Sequence, residues 1–272
     1  MTMNQNTSDP AAVTPAPPTA ADSEPHAFQD HLSALYALSQ KNRHVFGSPL
    51  GPIYHGGRPA WLPRFVFFGP HASDDSWRLS FLAGFDHRNL CASHAVLRLI
   101  ARLAENAGNG HGLNLSFFPL VDAAGFFLGA PERALATAHW SRSSAPEIEL
   151  LEQDARLCGY HGFIRIEAAP HGDDIISIRV REPATLNPSP DIELISSEDT
   201  DPFPVRFERV PAGGLMSGGP LTIADDLCFQ PFEFTLRVPP AWPEEIHHEA
   251  VESILTRFIL RYRAFQAYGQ HL

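Results

Sequence analysis

No stretch of this 272-residue chain approaches the ~20 consecutive apolar residues that a membrane-spanning helix needs, so no such helix is expected. Cysteine is scarce. Cys91, Cys158 and Cys228 are an odd set, far apart and without a CxxC pair, which argues against a disulfide framework and for a reducing, cytoplasmic compartment. Basic residues are outnumbered, 20 Lys and Arg against 31 Asp and Glu, and the net charge of −11 argues against nucleic acid and anionic membranes as partners. A G-x-S-x-G nucleophile elbow, a Walker phosphate loop and a dinucleotide glycine fingerprint are all missing. The N-terminal stretch lacks the basic start and apolar segment of a signal peptide, and it holds almost no large apolar residue. Residues 1–27, rich in Pro, Ala, Thr and Ser, therefore read as a disordered tail before one domain at 28–272.

What is present suffices for a full core, since 44% of the residues are hydrophobic. RFVFFG (64–69), WRLSFLAGF (77–85), LNLSFFP (113–119), FIRIEAA (163–169), IISIRV (175–180) and FEFTLRV (232–238) are short aromatic or β-branched runs that predict strands. Val96, Leu99, Ile100 and Leu103 recur at helical spacing over 93–105, and the glycines of AGNGHG supply a C-cap. SAPEIELLEQDARLCG predicts a second helix, with serine at the N-cap, Pro146 in the first turn and acidic residues behind it. The last helix opens at Pro243, Glu244 and Glu245. Ile246, Ala250, Val251, Ile254, Phe258 and Tyr262 line its apolar face. Such alternation predicts an α/β three-layer sandwich around a mixed, mostly parallel central sheet. Residues 183–231 break the rhythm and read as long loops with short antiparallel pieces.

One turn stands out, LAGFDHRN at 82–89, where a strand passes into a helix through Asp86, His87, Arg88 and Asn89. Later phrases sit at comparable strand ends: PLVDAAGF (119–126), HWSR (139–142) with APE (145–147), IRIEAA (164–169) and FTLRVP (234–239). With GSPLG (47–51) in front, their order over residues 43–265 resembles the zinc carboxypeptidase superfamily, including its succinylglutamate desuccinylase and aspartoacylase branch. The resemblance implies that fold, and it implies roles for particular positions. Ala83 and Gly84 match the strand end that carries two zinc ligands, but the ligand positions hold Asp86 and Asn89. Pro119, Gly125 and Phe126 are kept in the next phrase, and Arg142 stands where the family grips a substrate carboxylate. Glu167 occupies the third ligand position, and Arg237 the place of the general-base glutamate.

These replacements change the chemistry. Asp86, Asn89 and Glu167 would form an all-oxygen set, better suited to Mg²⁺ or Ca²⁺ than to zinc, and an amide is a poor ligand. A guanidinium stays protonated at any working pH, so Arg237 cannot serve as a base. Between Asp86 and Glu167 it would instead take the electrostatic place of a metal. Arg133 is a candidate assistant to Arg142. Each residue also has a plain reading, Asp86 as a helix cap, Asn89 as a turn residue, Glu167 as a paired carboxylate and Arg142 as a surface charge. A shifted register gives a second ligand set, His87, His94 and His171, while His247 and His248 read as exposed or partly packed.

The expectation is a catalytically inactive carboxypeptidase-like protein, without a cofactor, that binds a small carboxylate, a peptide end or a protein partner through Arg142 and Arg237. The alternative is an active zinc hydrolase, a carboxypeptidase or N-acyl amino acid amidohydrolase with a non-standard ligand set. A purely structural subunit is the third reading, and it predicts a covered apolar patch.

Overall fold

The computed structural model describes residues 20–133, 135, 143–170, 172–181, 203, 205–210 and 231–269. Arg142, His171, residues 1–19 of the expected tail, the glycine-rich 212–220 and nearly all of 183–231 lie outside that range.

Helix α1 (Ala20–Ser39) comes first, followed by β1 (Val45–Gly47), β2 (Leu50–His55), β3 (Arg58–Leu62), β4 (Phe65–Phe68) and β5 (Trp77–Leu82). Then come α2 (Cys91–Glu105), β6 (Leu113–Phe118), α3 (Ala123–Leu128), α4 (Pro146–Cys158), β7 (Gly162–Ala168), β8 (Ile176–Arg181), β9 (Val205–Val210), β10 (Phe232–Val238) and α5 (Glu244–Gly269). Eight strands form one sheet in the order β1-β4-β6-β5-β7-β10-β8-β9, with β2 and β3 apart as a hairpin. The central run β6-β5-β7-β10 is parallel, while β1, β4 and β8 join antiparallel. The fold is the expected α/β sandwich with a mixed central sheet.

Two cores flank that sheet. On one face Leu79, Phe81, Ile164, Ile166, Phe234 and Leu236 pack against α1, α2 and α5 through Phe28, Val96, Ile100, Ile254 and Phe258. On the other, Leu82, Phe118 and Phe163 pack against α3, α4 and the hairpin through Ala124, Ile148, Leu151 and Ile53. Alternation along each strand sends successive side chains to opposite cores.

Several local expectations need correction. Helix α1 begins inside the stretch read as tail, because Phe28, Leu32 and Leu35 give it a buried stripe. Helix α2 ends at Asn106 with negative φ and runs into a 3-10 turn at Ala107–Gly110, so the left-handed turn falls later, at Gly112. Helix α4 starts after Ala145, not at a serine N-cap, although Ser143 Oγ accepts a hydrogen bond from Ala145 N. Ile246 is exposed on α5, and His247 takes the inward position.

Candidate functional site

At the C-terminal end of β5 the chain must turn sharply beside the exit of β6. Gly84 makes this possible with φ of +66°, and a Cβ there would lie 2.6 Å from Ser93 Oγ and 2.8 Å from Pro119 O. Ala83 N donates to Phe118 O, Val121 N to Ala83 O and Asp122 N to Gly84 O, so the two exit loops are bound side by side.

The DHRN turn then uses every polar side chain it has. Asp86 Oδ1 accepts from Arg88 N at 3.0 Å and from Arg88 Nε at 3.3 Å, and the same guanidinium reaches Glu132 at 2.8 Å. Burial acts to raise the Asp86 pKa, but the Arg88 hydrogen bonds and charge outweigh it and hold the carboxyl below its usual range. Asn89 Oδ1 accepts from Cys91 N at 3.4 Å, at the start of α2. His87 Nδ1 lies 2.6 Å from Asp122 Oδ2.

Asp122 is held further by Gly125 N at 3.2 Å and Arg133 at 3.0 Å. Arg133 also reaches Glu147 with contacts of 2.5 and 2.8 Å, and Glu147 accepts from Ala124 N at 3.2 Å. Asp122 and Glu147 are 1% and 0% exposed, so one guanidinium, that of Arg133, is shared between two buried carboxylates. It is a structural cation and not the anion anchor expected beside Arg142.

The strand ends opposite carry the other candidates. Register places Arg237 of β10 directly across from Glu167 of β7, with Arg237 Nε 3.4 Å from Glu167 Oε2. Arg165, two residues earlier on the same face, reaches Glu167 Oε1 at 2.7 Å, and its guanidinium carbon lies 5.0 Å from the Phe85 ring centre. Further along, Glu233 pairs with Arg181 and feels the charge of Arg165. Burial pushes the Glu233 pKa up against both arginines. The result is a row of alternating charge, Arg181, Glu233, Arg165, Glu167 and Arg237, that ends at the sheet's C-terminal edge.

There a pocket of ≈ 300 Å³ opens, lined by Asp86, Asn89, Glu167, Arg237 and His247 with Phe85, Ala92 and Ile166 as its apolar wall. Four positions singled out in the sequence thus share one cavity. Arg237 pairs with Glu167, while the Asp86 carboxylate is engaged by Arg88, so the expected bridge from Arg237 to both carboxylates is seen on the Glu167 side.

Of the second ligand set, His171 lies outside the described residues, and His87 and His94 have different neighbours. His87 faces Asp122, whereas the His94 ring packs against Phe28, His31 and His248. Among the described residues no group of three or more His, Cys, Asp or Glu side chains is arranged to hold a metal ion. The ligand-equivalent positions do not fit zinc either. Asn89 offers an amide, Asp86 is engaged by Arg88, and Glu167 is flanked by two guanidiniums. A divalent ion ~4 Å from one such cation meets a repulsion on the order of 8 kcal/mol at an effective dielectric of ~20.

The sequence reading gave the pocket residue His247 no place in the site and did not single out Arg165, which pairs with the pocket's Glu167. His247 was legible, since it precedes Ala250, Val251 and Ile254 by three, four and seven residues on the buried face of α5. Arg165 carried no such signal, because a charge in a strand reads as solvent-facing.

No protein-family profile and no curated protein matches the sequence. Solved structures do. A metallo-carboxypeptidase from Burkholderia cenocepacia superposes with a TM-score of 0.62 at 16% identity, over 87% of this chain and 69% of that one. A Pseudomonas aeruginosa metallo-carboxypeptidase in complex with (2-guanidinoethylmercapto)succinic acid gives 0.56 at 15% identity, over 84% and 67%. Bovine thrombin-activatable fibrinolysis inhibitor in complex with tick carboxypeptidase inhibitor gives 0.56 at 12%, over 87% and 96%. These likenesses show a metallo-carboxypeptidase-like fold.

Proposed function

We propose that this chain is a non-catalytic carboxypeptidase-like protein whose pocket binds a small carboxylate or a peptide end. The observation that carries the reading is Arg237, a permanent cation at the pocket, held against Glu167 where the resemblance calls for a general base. A guanidinium offers forked donors to a carboxylate, and its charge-assisted bonds are about twice as strong as neutral ones. Phe85, Ala92 and Ile166 would take the ligand's apolar part. Free thiols at Cys91 and Cys158 suit a reducing, cytoplasmic setting.

The test is calorimetric titration of succinate and of an N-acetylated dipeptide into wild type and Arg237→Gln. Saturable binding by wild type, weakened at least tenfold in the variant, is the expected result. Equal binding by both, or none of either probe, removes Arg237 as the anchor.

A second reading, an active metallohydrolase with an unusual ligand set, draws on the His87 and Asp122 pair. A metal-binding imidazole commonly hands its other nitrogen to a carboxylate in this way. Hydrolysis of the N-acetylated dipeptide that stops in chelator and returns with zinc would establish that reading instead.

A further inference from the structure

Four histidines meet where α1, α2 and α5 pack together, apart from the pocket's charge pairs. His31 of α1 stacks on His94 of α2 with ring centres 6.1 Å apart and planes at 29°. His94 lies 5.8 Å from His248 of α5, and His248 lies 6.2 Å from His247. Phe28 of α1 stands edge-on to His94 at 5.3 Å and to Phe126 at 5.3 Å, sealing the cluster. His94, His247 and His248 are 8%, 3% and 6% exposed. Among the described residues His247 Nδ1 and His248 Nε2 are buried without a hydrogen-bond partner. A second charge on such rings would be poorly solvated and close to the first.

The charged surroundings are mixed. From α2 come Arg98, which opposes protonation of His31 and His248, and the Cys91 backbone, which hydrogen-bonds with His248. From α5, Glu244 favours protonation, but it is 64% exposed and lies 3.8 Å from His248 Nε2. Glu252 of α5 is taken up by Arg98 and Arg102, and Glu24 of α1 lies near the Cys91 thiol. Burial first, and then neighbouring histidines, lower the His94 and His247 pKa values to about 4; His31 and His248 are lowered by burial with help from Arg98. All four shifts favour the neutral ring in the docked state.

We propose that this histidine cluster is an acid-sensitive latch that docks α1 onto α2 and α5 at neutral pH and releases it as pH falls. A group whose pKa is depressed by folding binds protons more tightly once released. Its contribution is complete above the ordinary value of 6.5 and is lost progressively as pH drops from there toward 4. For His94 alone, a full return from about 4 to 6.5 on release weakens docking about 30-fold at pH 5, which sets the ceiling, since His248 stays beside it. Because His247 also lines the pocket, the latch bears directly on the pocket wall. The proposal stands without the ligand reading.

Hydrogen exchange of the full chain, read by mass spectrometry between pH 7.5 and 5 as protection factors so that intrinsic rates divide out, tests it. Peptides from 28–39 are expected to lose protection by up to about 30-fold through His94 while β5 and β6 keep theirs. His94→Gln and, more mildly, His31→Gln should each shrink that loss. Constant α1 protection, a loss in step with β5 and β6, or the full loss in both variants overturns the latch. Should His94→Gln fail to fold, His31→Gln and the wild-type profile still decide.

Discussion

A methyl group on Gly125 would lie 2.3 Å from His87 Nδ1 and 2.5 Å from an Asp122 carboxylate oxygen. Glycine is required there for a reason of space, since the exit loop of β6 must pass against the DHRN turn. The same crowding gives Arg133 its importance. Replacing it with methionine keeps the apolar stem but takes from the buried Asp122 and Glu147 the guanidinium they share. Arg133→Met should cost about 3–5 kcal/mol of stability in urea denaturation. A loss under 1 kcal/mol would show that the guanidinium is a surface charge. Arg237, by contrast, has a side chain 19% exposed, with Nε 3.4 Å from Glu167, so Arg237→Gln should act on ligand binding more than on folding.

Elements were legible where periodicity was clean. The strands at 65–68, 113–118, 162–168, 176–181 and 232–238 fall within a residue or so of their apolar runs, because strand ends follow turn chemistry, while the run at 77–85 overshoots its strand, which ends at Leu82 before Gly84 turns the chain. The hairpin β2–β3 also had its signal, Gly56 and Gly57 both at positive φ between two strands, but its exposed pattern hid it. Helix α1 was concealed for a different reason. Its apolar residues are few, and composition over 1–27 merges its first turns with a polar, proline-rich stretch. Packing on α2 stabilises it, with Phe28 0% exposed. Phe28→Ala should therefore lower stability by about 3–5 kcal/mol, where a tail residue would cost nothing measurable in the same denaturation experiment.

For the whole molecule, the sharpest expectation concerns metal. Protein purified without added metal or a nickel column should contain far less than one equivalent of zinc by elemental mass spectrometry, and should take up none on dialysis against zinc. One equivalent retained would return attention to His87 and Asp122. The fold class followed from sequence alone, because strand–helix alternation and burial periodicity are local properties that every short window carries. The bounds on chemistry did too, since no fold can make Arg237 a base or Asn89 a strong zinc ligand. Tertiary structure alone decided who pairs with whom. Asp86 and Glu167 both looked like partners for Arg237, yet Arg88, two residues away in a tight turn, engages the first. Arg133 became a structural cation, and four histidines scattered over more than two hundred positions became one cluster. Pairing depends on distances across elements, and those are set by how the layers pack, which no local spacing encodes.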